Sequence, residues 1–206
     1  MSKKGKGERT RERILEAAAE EFASRGFYET KTIDILSKVG LTQPALYKHF
    51  PNKQSIYCEL VDGLHVKFRR LIETARLGIG LTDDDVSAGA KEAVIHVFNL
   101  LFENPNVTRI AFFMDQNAEN LKLELVKLIQ KNIQSEQEMG YIRSDISAEI
   151  AAVCLVGMIE RLTLEFLLPG KKSPESLADD VFGIFAPAMI NKGSEPNPID
   201  IIKHLE

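Results

Sequence analysis

Apolar residues recur at intervals of three and four along almost the whole chain, the spacing that gathers them on one face of an α-helix, and no stretch alternates as a half-buried strand would. The first helix is predicted over about Thr10 to Arg25, with Ile14, Leu15, Ala18, Ala19 and Phe22 on one face and Gly26 as its stop. A short second helix runs from Thr32 to Val39, with Asp34 in its first turn and Ile33, Leu36 and Val39 facing inward, and it ends at Gly40. The stretch "LTQPALYKHF", Leu41 to Phe50, follows and offers Ala45, Leu46 and Phe50 to a core. A long helix from Lys53 to about Leu77 carries Ile56, Leu60, Leu64, Phe68 and Leu71 or Ile72.

The remainder continues in the same manner. Thr82 before Asp83, Asp84 and Asp85 reads as a cap with acids on the positive helix end, opening a helix through Val94, Phe98, Leu101 and Phe102. Asn104-Pro105 restarts another, with Asn as cap and Pro at the first helical position. Ala118 to Met139 shows Leu121, Leu125, Leu128, Ile129 and Ile133 at helical spacing. Ile146 to Leu168 is apolar around most of its circumference, and Ser173-Pro174-Glu175 opens a last helix towards 190. A helix apolar nearly all round is covered on more than one side, for which a partner chain is the natural source. The expected fold is all-α, with about nine helices.

Composition sharpens the division. The 206 residues, 44% hydrophobic and 27% charged, are enough for a sizeable core. The net charge of −4 is unevenly spread: residues 1–56 hold 11 Lys and Arg against 7 Asp and Glu, whereas 57–206 hold 15 against 23. A basic module of net +4 on an acidic body of net −8 suggests an anionic partner for the first alone. Residues 1–8 read as a basic arm and "KGSEPNPID" as a loop-like tail. Cys58 and Cys154, each within an apolar helical pattern and away from metal spacing, read as buried free thiols in a reducing, cytoplasmic setting. No signal peptide and no apolar run near the ~20 residues of a membrane span is expected.

Residues 32–50 read as helix, glycine turn, helix, the order in which a second helix enters the DNA major groove. Helix–glycine–helix pairs are common, so the exposed chemistry has to decide. Thr42 offers a cap and a hydroxyl, and Gln43 can pair bidentately with adenine. Pro44 suits a thymine methyl, and also biases Gln43 away from the α region, which makes Gln43 a candidate for the true cap. Tyr47 and Lys48 suit phosphate oxygens, as does Lys53 at the start of the next helix.

The segment "TKTIDILSKVGLTQPALYKHFPNKQSIY", preceded by "RERILEAAAEEFASRGF", resembles the DNA-binding domain of the TetR family of transcriptional regulators. The match rests on Thr32, Ile33, Gly40, Leu46, Tyr47, His49, Phe50 and Lys53. Ile35, Val39, Thr42 and Pro44 depart from the usual pattern. The resemblance covers about residues 9–57. It implies DNA contacts from Thr32, Thr42, Gln43, Pro44, Tyr47, Lys48, His49 and Lys53, with His49 equally able to pack or cap the helix end. It implies a three-helix DNA-binding domain over 1–56, and a helical ligand-binding and dimerisation domain over 57–206.

In that second domain the last two helices are expected to pair with those of a partner through Ile159, Leu162, Phe166, Leu177, Val181 and Phe185. Phe98, Phe102, Phe112, Phe113 and Met139, with His65, His96, Asn99 and Gln116, are the candidates for a mainly apolar effector pocket, although a Phe stripe at helical spacing also reads as core. The functional expectation is a ligand-responsive regulator, by default a repressor, binding a palindromic operator as a homodimer. The alternative is a helical protein-interaction module. An enzyme is disfavoured: the four His are scattered, no phosphate loop, metal or cofactor fingerprint occurs, and Glu20-Glu21 reads as a solvated face.

Overall fold

The computed structural model describes residues 5–191, and among them every extended element is a helix. The arm residues 1–4 and the tail from 192 lie outside the described residues. The chain divides into two compact units, one formed by the residues up to Val66 with Asn104–Glu119, the other by Lys67–Glu103 with the residues from Asn120 on. A boundary at 56/57 therefore gives way to one within a helix, and a later segment joins the N-terminal unit.

In the N-terminal unit, α1 spans Lys6–Glu29, so the expected arm is helical from Lys6. Gly26, at φ 79°, breaks α1 where a glycine stop was expected, and the helical path resumes beyond it. The Thr30 hydroxyl closes this break by donating to the carbonyls of Gly26 (2.8 Å) and Glu21 (3.2 Å). Then follow α2 (Thr32–Val39), α3 (Gln43–Tyr47) and the start of α4 (Lys53–Thr74). Gly40 ends α2 in the left-handed region (φ 65°), its N–H bonding back to Leu36 O at 3.0 Å. Ile14, Phe22, Ile35, Leu46, Phe50 and Ile56 form the buried centre of this unit.

Three assignments of inward or outward placement change. Ile33 is 64% exposed, and Ile35 takes its place beside Leu36 and Val39. Glu21 is buried, held by Lys38 of α2 at 2.8 Å, so Glu20-Glu21 is an inter-helix clamp more than a solvated face. Both cysteines are exposed, not buried. A four-residue α6 (Pro105–Thr108) completes the unit; the Asn104 side chain accepts from Val107 N–H at 3.1 Å, and the helix continues in π form over Arg109–Met114.

The second unit holds the end of α4 with α5 (Asp83–Glu103), α7 (Ala118–Glu138, from Asn120 on), α8 (Ala148–Leu162, extended in π form over Thr163–Leu167) and α9 (Pro174–Met189). Thr82 and Asp85 cap α5 reciprocally: the Asp85 N–H donates to the Thr82 hydroxyl oxygen and the Thr82 N–H to the Asp85 carboxylate, both at 3.2 Å. The hydrogen bonds that Thr82 donates, from its hydroxyl first and then its backbone, hold the Asp85 carboxyl below its ordinary pKa. Ser147 and Ser173 cap α8 and α9 through their side-chain oxygens. A single antiparallel bridge, Ile142 to Ile190, ties the α7–α8 connection to the end of α9.

Candidate nucleic-acid interface and effector cavity

Five residues suffice for α3 because its inner side is anchored by Leu46 and, just beyond it, Phe50, both buried. With those turned inward, Thr42, Gln43, Pro44, Tyr47 and Lys48 are left exposed together. Thr42, not Gln43, is the cap: its backbone is extended (φ −84°, ψ 157°), and its carbonyl accepts from Ala45 (3.0 Å) and Leu46 (3.1 Å). Gln43 is already helical. The preference against α geometry before proline is outweighed by these two bonds, and Pro44 in the first turn removes an N–H that had no helical acceptor. The Thr42 hydroxyl caps no helix N–H. Gln43 Nε2 lies 3.4 Å from Tyr47 Oη one turn on, so the two side chains share one patch.

The remaining candidates sit differently. Lys53 is turned into its own unit: Nζ donates to Phe27 O (2.6 Å) and Thr30 O (2.8 Å) and stands 4.3 Å from the Phe27 ring centroid. It staples the start of α4 to the turn before α2. His49 is half-buried at the end of α3, and its carbonyl accepts from Arg11 Nη1 at 2.6 Å. Arg11 also pairs with Glu59 and stacks 4.1 Å from the Phe50 ring, locking α1, α3 and α4 together. Thr32 is half-buried at the first turn of α2. Tyr28, 88% exposed, and Ile33 add apolar surface at the entry to α2 that periodicity did not assign. The doublet Phe27-Tyr28 was the available signal, since one helix end can bury only one of the two rings.

The C-terminal unit contains an apolar cavity of about 170 Å³. Leu71, Ile72, Val94, Ile133, Ile159 and Phe185 are among its walls. Its polar members are Asn132 and Glu136, one turn apart on α7. Asn132 is tied at both polar atoms: Nδ2 donates to Ile72 O (2.8 Å) and Oδ1 accepts from Arg76 Nε (3.2 Å). Burial raises the Glu136 carboxyl to about 7, against a smaller opposing effect of a hydrogen bond from the Leu77 backbone. The sequence signal for both was a polar pair at i and i+4 on the inner side of an amphipathic helix.

None of the nine residues expected to line an effector pocket borders this cavity. Phe98 and Phe112 are core, the latter edge-on to Phe113 at 5.4 Å. Phe102, Asn99 and His96 are exposed, with His96 3.8 Å from Glu92, and Met139 is half-buried. His65 and Gln116 border a separate, more polar cleft within the N-terminal unit, beside Tyr57 and Cys58. Tyr57 is raised above its ordinary pKa there, first by burial and then by Asp115.

The residues expected at a dimer interface differ in how far their own unit covers them. Leu177 and Val181 are completely covered inside their own unit, Ile159 and Phe185 face the cavity, and Leu162 and Phe166 are half-buried. A helix apolar all round offers no phase to choose by. The faces left open carry Ile150, Val153 and Leu164 from α8 and its extension, and Ile184 from α9.

Among the described residues no helix is long and apolar enough to cross a membrane, and no three His, Cys, Asp or Glu are grouped as metal ligands. Residues 14–60 match the model of bacterial regulatory proteins, tetR family. Over 192 residues the chain is 42% identical to the uncharacterized HTH-type transcriptional regulator YdgC of Bacillus subtilis (strain 168), covering 93% of this chain and 98% of that one. It is 28% identical to the HTH-type transcriptional regulator TtgR of Pseudomonas putida, over 80% of this chain and 83% of that one. In fold it is similar to SmeT, the repressor of the Stenotrophomonas maltophilia multidrug efflux pump SmeDEF, with a TM-score of 0.66 at 21% identity over 91% and 96% of the two chains. These named relatives are transcriptional regulators. With its glycine-turned α2–α3 pair and a relative this similar over nearly its full length, the chain belongs to the TetR family of helix-turn-helix transcriptional regulators.

Proposed function

We propose that this regulator is a cytoplasmic repressor that binds a palindromic operator as a homodimer and leaves it when a small, mainly apolar effector binds. The single observation that carries the DNA-binding part is the patch on α3, where Thr42, Gln43, Pro44, Tyr47 and Lys48 are exposed around the buried Leu46. Gln43 is assigned to a base edge, and Tyr47 and Lys48 to phosphates. Pairing through the open faces of α8 and α9, with Ile150 and Ile184 61% and 65% exposed, supports a two-fold dimer that presents two such patches. Leu71 and Ile72 of α4 line the cavity, and Lys53 begins the same helix, so an effector that displaces the first pair perturbs the helix that Lys53 staples to the turn before α2. Effector and operator then oppose each other by linkage.

The test is fluorescence anisotropy with DNA from upstream of the chain's own gene, over a salt series. Expected are sequence-selective binding, a steep decrease of log K with log salt, and relaxed preference at one position in Gln43→Ala. Equal affinity for operator and scrambled DNA refutes the reading and favours a helical interaction module.

A further inference from the structure

The effector cavity carries more chemistry than its apolar walls. Every lining residue besides Asn132 and Glu136 is Ala, Val, Leu, Ile, Met or Phe. Asn132 is tied on both of its polar atoms by Ile72 and Arg76, which makes Glu136, a charged acceptor when ionised, the polar group with the most to offer a guest. Among the described residues no ion pair involves Glu136, and its recorded partner is the Leu77 backbone N–H. The carboxyl therefore already acts as an acceptor, and what it lacks is a second donor, preferably a charged one. The residues of the cavity's own unit, 67–103 and 120–206, carry 14 basic against 19 acidic groups, a field that draws cations in and disfavours anions.

From this geometry we infer that the effector is a small lipophilic amine, its ammonium against the Glu136 carboxylate and its hydrocarbon body in the apolar cavity. The inference rests on the effector-responsive reading above. Size follows from volume: an apolar cavity of ~150 Å³ accepts benzene, so about 170 Å³ suits a one-ring amine unless the walls open. A neutral apolar guest would leave the half-buried carboxylate with its desolvation uncompensated, whereas an ammonium supplies both a hydrogen bond and the opposite charge. Other charged or titratable groups nearby are already engaged: Arg76 by Asn132, and the Tyr141 hydroxyl by Gly78 O (3.1 Å) and Leu81 N–H (3.0 Å). The α5, α8 and α9 walls present only apolar side chains to the cavity.

The experiment uses the full chain with three probes of similar shape: benzylamine, ethylbenzene and benzoate. Binding is followed by NMR titration, and operator release by anisotropy. At pH 8 benzylamine is expected to bind at least about tenfold more tightly than either analogue, a preference of the size of one charge-assisted hydrogen bond. The preference is expected to shrink on lowering the pH to 6, because proton uptake by Glu136 competes with the ammonium. It is expected to vanish in Glu136→Gln, which retains ethylbenzene binding as proof that the cavity is intact. Benzylamine binding no better than ethylbenzene or benzoate, no binding of any probe, or unchanged preference in Glu136→Gln each overturns the inference. Benzylamine bound at Glu136 with operator affinity unaltered keeps the site and instead sinks the effector-responsive reading.

Discussion

Replacing Lys53 by Met separates a structural staple from a DNA contact, two roles that predict opposite measurements. Methionine retains the unbranched stem but removes the ammonium that spans Phe27 O at 2.6 Å and Thr30 O at 2.8 Å. Hydrogen bonds from a charged donor contribute about 1.5 kcal/mol each at the low end suited to a half-buried site, and the Phe27 ring adds about 0.5 kcal/mol. Part of that sum returns as water reaches the two freed carbonyls, leaving a net loss of about 2 kcal/mol. For a chain of this length each kcal/mol moves the midpoint by about 2–4 °C, so the midpoint of thermal unfolding followed by circular dichroism should fall by about 4–8 °C. Operator affinity should drop because α4 loses its hold on the turn before α2, while the slope of log K against log salt stays at the wild-type value. A lysine bound to a phosphate behaves in the other way: its removal reduces that slope by about 0.9 and leaves folding stability almost untouched. A smaller slope together with an unchanged midpoint would refute the staple and restore Lys53 to the DNA-contact set.

Three further outcomes follow from the geometry. Ile184→Glu, on the open face of α9, should yield a folded monomer by analytical ultracentrifugation, whereas Leu177→Glu, with no exposed surface in its own unit, should abolish folding by near-UV circular dichroism. Glu136 binds its proton more tightly folded than unfolded, so its contribution to stability is full below about 4.5 and is lost as pH rises towards about 7. Glu136→Gln should remove that decline and stabilise the protein at pH 8 by up to roughly 3 kcal/mol in urea titrations. Gly40→Ala forces a β-carbon into the left-handed region at φ 65° and should cost about 1 kcal/mol by the same titration, with operator binding weakened through the α2–α3 angle.

The parts of this molecule that could be read from sequence are those fixed by neighbours in the chain. Gly40 stops α2 through its own φ, Asn104-Pro105 starts α6 through a side-chain cap, and Thr82 with Asp85 starts α5 by mutual bonding, none of which needs a distant partner. The α3 patch was legible for the same reason: one buried residue, Leu46, fixes the phase of a five-residue helix and so exposes the rest. Phase was lost where apolar residues are too many to define one face. In α2, Ile33 and Ile35 compete for the place beside Leu36 and Val39, and Ile35 takes it while Ile33 is left exposed. In α8 and α9 the choice between covering the cavity and covering a partner is made by packing across the unit, which is why Leu177 is enclosed and Ile184 left open. Polar residues on an inner face give the opposite error: Asn132 and Glu136 stand two turns after Leu125 and Ile129, yet their polarity alone reads as solvated. The DNA-facing chemistry is thus written in local geometry. The proposed effector chemistry lies where pattern is weakest, in a carboxyl that only the assembled helices enclose.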